Sequence, residues 1–151
     1  TPRDYGIFRE MAHGDRYPAA LRIAEDRWRR AAAVARRKGR PIPDRDDLVP
    51  RYRNDAFVDK WRKLIPDEPS WTVTAHLGKD TYSHIHYDDR QARMVTVREA
   101  ARLQSFPDGF EFAGNRGDQF RQIGNAVPPL LAAAIAAQLK QQLEALVVAA
   151  A

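Results

Sequence analysis

The sequence contains no cysteine, so its 151 residues can form no disulfide, no thiolate metal ligand and no thiol nucleophile. It also lacks an apolar run of roughly 18 residues, the length that a membrane-spanning helix needs, and no signal-peptide pattern opens it. These absences predict a cytoplasmic protein with no membrane partner. The first residue is threonine rather than methionine, which favours an excised domain or the tail of a longer protein.

Positive charge is concentrated in the first half of the chain. Residues 1–66 carry 17 Lys and Arg against 10 Asp and Glu, whereas residues 67–151 carry 8 against 10. A soluble protein with a basic excess most often has nucleic acid as its partner. We therefore expect the first half to face phosphates and the second half to pack against protein.

Helical periodicity in the first half predicts a helix over residues 18–38, ended by Gly39. Its arginines fit either an ordinary solvated face or phosphate contact, and the charge surplus favours phosphate contact for some of them. A second, shorter helix is predicted over residues 55–64. It would turn four apolar side chains toward a core: Phe57, Val58, Trp61 and Leu64.

The second half alternates short apolar stretches with turns, and predicts strands at 71–76 and 84–87 and a third near 94–96. Thr96 and Glu99 stand three residues apart before an Ala-rich run, a spacing typical of a capping box at a helix start. A last helix is predicted to begin near Asn125. One of its faces would carry Leu131, Ile135, Leu139, Leu143 and Leu146.

Two segments contain combinations of residues that are more specific than their secondary structure requires: RMVTVREAARLQSFPD at 93–108 and QIGNAVPP at 122–129. In this order and spacing they resemble the last two sequence motifs of the DNA cytosine-5 methyltransferases. The stretch FVDKWRKLIPDEPSWTVTAHLGKD at 57–80 is similar to the end of the target-recognition region in restriction-associated members. Roughly the last 95 residues carry the resemblance convincingly, and the first 55 only by position.

The resemblance implies an α+β chain in two parts. Residues 1–92 would form a small target-recognition region that binds double-stranded DNA. Residues 93–151 would form the C-terminal edge of a Rossmann-like class I methyltransferase domain, whose co-substrate is S-adenosylmethionine. The implied setting is DNA methylation in a bacterial restriction-modification system, at the nucleoid.

By the same resemblance, Asn125, Ala126 and Val127 would line the S-adenosylmethionine pocket, although Asn125 can equally be read as a simple helix N-cap. A zinc site at the histidines is disfavoured because the chain offers no cysteine ligand, so we expect no metal. Arg98 suits either a structural role, bracing a loop, or phosphate contact. The residues expected to contact DNA are His76, Lys79, His84, His86, Arg93 and Arg98.

The chemistry of the resembled family requires residues that this chain does not have. A cysteine thiolate in a Pro-Cys motif adds to C6 of a flipped-out cytosine, a glutamate assists at N3, and a Gly-rich Phe-x-Gly-x-Gly turn opens the donor pocket. Neither motif occurs here, so we expect no catalytic residue and no activity from this chain alone. Three accounts stay open: part of a full-length enzyme, the small subunit of a split enzyme with a cysteine-bearing partner, or a non-catalytic DNA-binding module. The apolar face of the last helix would also permit a homo-oligomer.

Overall fold

In the computed structural model, residues 2–53, 55, 58, 60–78 and 82–149 are described, and about half of the chain is helical. Two compact units are present: Thr1–Trp71 with Lys79–Val95, and Thr72–Gly78 with Thr96–Ala151. Within the described residues the helices are α1 (Pro2–Glu10), α2 (Tyr17–Arg37), α3 (Arg45–Leu48), α4 (Val97–Leu103), α5 (Arg116–Asn125) and α6 (Pro129–Ala149).

α2 forms where its periodicity predicts, with Pro18 in the first turn and Gly39 just beyond its end at a φ of 60°. Its buried side is mostly alanine, so that the helix can lie close to its neighbours. Helix α1 has no counterpart in the sequence prediction. Its buried Ile7 and Phe8, together with Met11 just after its end, are core residues of the first unit.

The helix predicted over residues 55–64 is wrong wherever the chain is described. Trp61 has a φ of 56°, a left-handed backbone that cannot continue a right-handed helix. Trp61 and Leu64 are nevertheless buried as expected, whereas Val58 is exposed and Phe57 lies outside the described residues. The apolar spacing therefore predicted two core residues correctly, and the element wrongly.

In place of the three predicted strands, the described residues form only isolated bridges, all at one residue. In the described part of the chain, Ile85 alone forms bridges, parallel to Lys63 and antiparallel to Met94. Backbone hydrogen bonds flank this position, from the His86 amide to the Arg93 carbonyl oxygen and from the Val95 amide to that of His84. No continuous strand forms among the described residues, and residues 75–78 form a turn instead of continuing 71–76 as a strand. The α+β expectation is thus corrected to a mainly helical structure with isolated bridges.

Three aromatic rings interlock at the centre of the first unit. Phe8, Trp61 and Tyr82 meet edge to face, with ring centroids 5.4 Å (Phe8 to Trp61), 5.1 Å (Phe8 to Tyr82) and 4.8 Å (Trp61 to Tyr82) apart. Beside them lies the fully buried Lys63, whose Nζ donates to the carbonyl oxygens of Phe8 at 2.8 Å and Met11 at 2.7 Å. The ammonium also pairs with Asp89. Lys63 thereby closes the C-terminal end of α1, where carbonyl groups lack helical partners.

In the second unit, α4 begins with the predicted capping box, since Thr96 accepts from the Glu99 amide at 3.2 Å and Glu99 accepts from the Thr96 amide at 2.7 Å. The helix α5 was not predicted from the sequence. A second capping box starts it, formed by Asn115 and Asp118. The Asn-x-x-Asp spacing was the available signal, but the mostly polar RGDQFRQ that follows hid the helix.

The last helix begins at Pro129, not near Asn125, and this corrects both the boundary and the N-cap role suggested for Asn125. Asn125 is the final residue of α5, and Ala126 follows in an extended conformation with a ψ of 147°. Proline restricts the residue before it to extended backbone and has no amide to donate, so the pair Pro128 and Pro129 separates two helices. Pro129 itself is suited to a first helical position.

Candidate functional site

The two motif segments of the second unit are held together by adjacent residues at the end of α4. Gln104 is buried, and its side-chain Nε2 donates to the carbonyl oxygens of Ile123 at 3.0 Å and Ala126 at 3.4 Å. Ser105 accepts from the Leu130 amide at 3.1 Å, at the start of α6. The chain between α5 and α6 is therefore fixed at both ends by the segment that follows α4.

Ser105 adopts a φ of 58°, which is unfavourable for a residue with a side chain. This conformation reverses the chain directly after α4, and the Ser105 amide donates back to the carbonyl oxygen of Arg102 at 2.9 Å. The hydroxyl at this turn then satisfies one of the amides that the beginning of α6 leaves unpaired. Gln104 and Ser105 were not identified as site residues from the sequence, although both lie in its first motif.

The expected donor-pocket residues Asn125, Ala126 and Val127 form the short connection that Gln104 and Ser105 hold. Asn125 is exposed, Ala126 is half-buried, and Val127 is 61% exposed. An amide side chain and an apolar side chain are thus offered outward next to each other on a fixed backbone. They suit one wall of a site for a ligand with polar and apolar parts, and the described residues around them provide no enclosure.

Gly124 is required by close packing rather than by a turn. It lies inside α5, where an added Cβ would stand 2.3 Å from the carbonyl oxygen of Thr74 and 2.5 Å from the amide nitrogen of Ala75. The absence of a side chain at Gly124 therefore admits a close contact between two backbones. That contact attaches residues 72–78 to the helix that ends in Asn125.

Arg98 braces the loop between α4 and α5. Its guanidinium donates to the carbonyl oxygen of Phe110 at 3.1 Å and, at 3.5 Å, to that of Pro107. The neighbouring Arg102 pairs through two bonds, of 2.7 and 2.8 Å, with Asp108 in the same loop. The bracing role, one of the two readings of Arg98, is thus present in the structure.

The histidines expected to contact DNA differ in accessibility. His84 is 1% exposed, with Nδ1 3.0 Å from the Ser83 hydroxyl and its ring tilted against Trp71. Burial lowers the pKa of His84 to about 4, the bond to the Trp71 carbonyl partly opposing this shift. His86 is also buried, its Nδ1 accepting from the Asp88 amide. Both rings are thus buried in the first unit, an arrangement typical of core histidines, and the contact of either with DNA stays a prediction.

The remaining residues expected to contact DNA are accessible or lie outside the described chain. His76 is exposed in the turn at 75–78 of the second unit. Arg93, in the first unit, is half-buried and donates to the Met94 carbonyl oxygen at 3.0 Å and to Gln91 at 2.9 Å. Lys79 lies outside the described residues. Among these, His76 has the most open access to a ligand.

Within the described ranges, no three side chains of His, Asp or Glu lie close enough together to hold a metal ion. None of the helices in the same ranges has the length and apolar character needed to cross a bilayer.

Comparison with known proteins identifies the class. Residues 11–141 match the family of C-5 cytosine-specific DNA methylases, and the chain belongs to that family. Among its relatives is a putative type II methyltransferase, M.OihORF3336P of Oceanobacillus iheyensis, 49% identical over 150 residues that cover 95% of this chain and 32% of the relative. The type II methyltransferase M.AgeI of Thalassovita gelatinovora is 51% identical over 58% of this chain and 20% of its own length.

A third relative is covered much more fully. The type II methyltransferase M.AquIB of a Picosynechococcus species is 46% identical over 100 residues, which cover 58% of this chain and 68% of that relative. By contrast, this chain spans between a fifth and a third of the length of the first relatives that it matches. No solved structure matches the chain.

Proposed function

We propose that this chain is the C-terminal part of a DNA cytosine-5 methyltransferase, supplying DNA target recognition and one wall of the S-adenosylmethionine pocket. The observation that carries the proposal is the pairing of family membership with the absence of any cysteine. Thiolate addition to C6 needs a sulfur nucleophile, and hydroxyl or carboxylate groups are poor substitutes. The nucleophile must therefore come from residues outside this sequence.

The connection between α5 and α6 is the proposed wall of the donor pocket. Asn125 and Val127 would meet the methyl donor there, while Gln104 and Ser105 keep the backbone of the connection in place. When bound, S-adenosylmethionine supplies an electrophilic methyl group. The Rossmann-like sheet that would complete the pocket lies, on this proposal, in the preceding part of the enzyme.

α6 supports the proposal that part of the enzyme lies outside this chain, because it presents an apolar face that no described residue covers. Every described residue from Leu130 to Ala149 is exposed, including Leu131 at 51%, Ile135 at 50% and Leu139 at 54%. A helix depends on packing of its apolar face for most of its stability. Because the chain covers only 32% of its relative from Oceanobacillus, we propose the preceding catalytic part as the cover.

Methyl transfer from labelled S-adenosylmethionine to duplex DNA tests the proposal. The chain alone is expected to transfer no label, and to recover activity when co-expressed with a family protein segment that carries the Pro-Cys motif. Calorimetry on the chain alone should give weak donor binding. Methylation by the isolated chain, or tight donor binding by it, would contradict the proposal.

A second candidate is the small subunit of a split methyltransferase. The favouring observation is the 68% coverage of M.AquIB, which makes that relative comparable in length to this chain. The reading frame preceding Thr1 separates the two candidates. A frame that continues into a Pro-Cys motif indicates one long enzyme, and a separate gene with that motif indicates a split enzyme. If neither is present, a non-catalytic DNA-binding module remains.

A further inference from the structure

The exposed side of α2 is dominated by arginine. This helix contains six arginines and two acidic residues, while its buried residues are Tyr17 and five alanines. At 100° per residue, positions seven apart nearly align along a helix, so Arg22, Arg29 and Arg36 form a line on the side away from the buried Ala20, Ala24 and Ala35. Successive members of the line are about 10 Å apart along the axis.

Some of these cations are already neutralised by neighbours. Arg27 and Arg30 share the carboxylate of Glu10, at 2.5 and 2.9 Å, and lower the pKa of Glu10 against the effect of its burial. Arg29 pairs with Asp26 at 3.0 Å. These pairs occupy the middle of α2, so its two ends are the regions to consider for an external anion.

In α2 and the three residues after it, five exposed cations have no acidic partner in the described part of the chain, and we call them the α2 basic surface. One stands near the start of α2 and the other four cluster at its end. They are Arg22, Arg36, Arg37, Lys38 and Arg40.

The helix dipole explains only part of this arrangement. Cations near a helix C-terminus are stabilised by the dipole, which accounts for Arg36 and Arg37 without a ligand. Arg22 lies in the second turn, nearer the positive end of the dipole, and Arg40 lies beyond Gly39. The Arg40 amide closes the last turn of α2 on the Ala35 carbonyl oxygen, so Arg40 also lies at the negative end of the dipole. The dipole does not stabilise Arg22, so an external anion is the better account of the whole surface.

We propose that the α2 basic surface docks on the phosphate backbone of duplex DNA. This assignment rests on the proposed function, and it names the surface that would contact the nucleic acid. The Cα atoms of Arg22 and Arg36 are about 21 Å apart along the axis, a length over which a duplex presents several phosphates. Guanidinium groups suit phosphate because they can donate two parallel hydrogen bonds to it.

An anionic membrane is the less suitable acidic partner. Helices that lie on membranes insert large apolar side chains on one face, with cations beside them. Apart from its arginines, the exposed side of α2 presents Asp26, Ala33 and a single larger apolar side chain, Val34, and its apolar side is occupied by the core of the first unit. We therefore assign the surface to nucleic acid, and anionic vesicles serve as the competing outcome.

The test is the salt dependence of binding to a fluorescent duplex of random sequence, measured on the 151-residue chain. Each phosphate contact contributes about 0.9 to the slope of log K against log salt. The double variant Arg36→Gln with Arg37→Gln is expected to reduce that slope by roughly two. The matched control removes the same charge from the second unit, through Arg102→Gln and Arg121→Gln, where both cations are paired with aspartates.

The outcomes separate the α2 assignment from the proposed function. A lowered slope in the Arg36 and Arg37 variant, with the control near wild type, supports the assignment, and Arg22→Gln should lower the slope by roughly one. Equal slopes in all proteins would overturn the assignment while leaving DNA binding intact. Failure of the wild-type chain to bind the duplex would overturn both, as would binding only to vesicles of anionic phospholipid. Circular dichroism confirms that each variant is folded.

Discussion

Replacing Gly124 by alanine tests whether residues 72–78 are packed on α5 as the structure shows. An alanine Cβ at this position would stand 2.3 Å from the Thr74 carbonyl oxygen, 2.4 Å from its carbon and 2.5 Å from the Ala75 nitrogen. All three atoms belong to the backbone. Relief of the overlap therefore requires either the helix or the 74–75 segment to move by about 1 Å, since ordinary contact begins near 3.4 Å.

Two opposing effects set the size of the change. Alanine is favoured over glycine inside a helix by about 1 kcal/mol. Overpacking against atoms that cannot rotate away costs up to about 3 kcal/mol or somewhat more. The clash is expected to dominate, and the free energy of unfolding should fall by about 2 kcal/mol. In a chain of this length the melting temperature should fall by roughly 4 to 8 °C.

Thermal unfolding followed by circular dichroism at 222 nm measures this change. Gly109→Ala is the matched control, because its Cβ would meet nothing within 4 Å; its melting temperature should stay close to that of wild type. An alanine at 124 that leaves the stability unchanged, or raises it by the helix-propensity gain, would refute the packing of residues 74–75 against α5.

Three further perturbations test other contacts, each by urea unfolding. Lys63→Met removes the donor to two carbonyl groups at the C-terminal end of α1 and should lower the free energy of unfolding by about 3 kcal/mol. Asp89→Asn, at an exposed carboxylate, should have a smaller effect; equal effects would argue against the capping role. Burial lowers the pKa of His84 from 6.5 to about 4. The free energy of unfolding should therefore be highest above pH 6.5 and should fall by about 3 kcal/mol toward pH 4, because over this range only the unfolded chain takes up the proton. His84→Asn should flatten that decline, and an unchanged profile would contradict the assignment. Gln104→Leu removes the side-chain donor to two carbonyl groups and should lower the free energy of unfolding by about 1–3 kcal/mol. Gln119→Leu removes a comparable side-chain donor and should show no such loss if the burial of Gln104 is what matters.

The sequence predicted local structure correctly where a single interaction between neighbouring residues determines it. The Thr96 and Glu99 capping box, the alanine side of α2 and the stop at Gly39 all depend on residues close together in the chain. Two family motifs sufficed to predict the family, which the comparison confirms. These features need no knowledge of what packs where.

The sequence predictions were wrong where contacts between residues distant in the sequence determine the local structure. Trp61 occupies a helix-like apolar pattern, yet its left-handed backbone places it against Phe8 and Tyr82, 53 residues before it and 21 after. The stretch HIHY was predicted to form a strand whose histidines contact DNA, whereas His84 packs against Trp71 and both His84 and His86 are buried. No local pattern distinguishes a histidine that contacts DNA from one that fills a core.

The contacts between the two motifs explain why they contain these particular residues. Gln104, in the first motif, binds carbonyl groups at the end of α5, and Ser105 binds the first free amide of α6, so the first motif determines how the second turns between helices. Gly124, in the second motif, in turn admits the backbone of Thr74. Each of these contacts lies within the second unit and none uses the apolar face of α6. The short connection can therefore hold its shape without any contact to the apolar face of α6, as the proposed donor-pocket wall, completed by a separate part of the enzyme, would require.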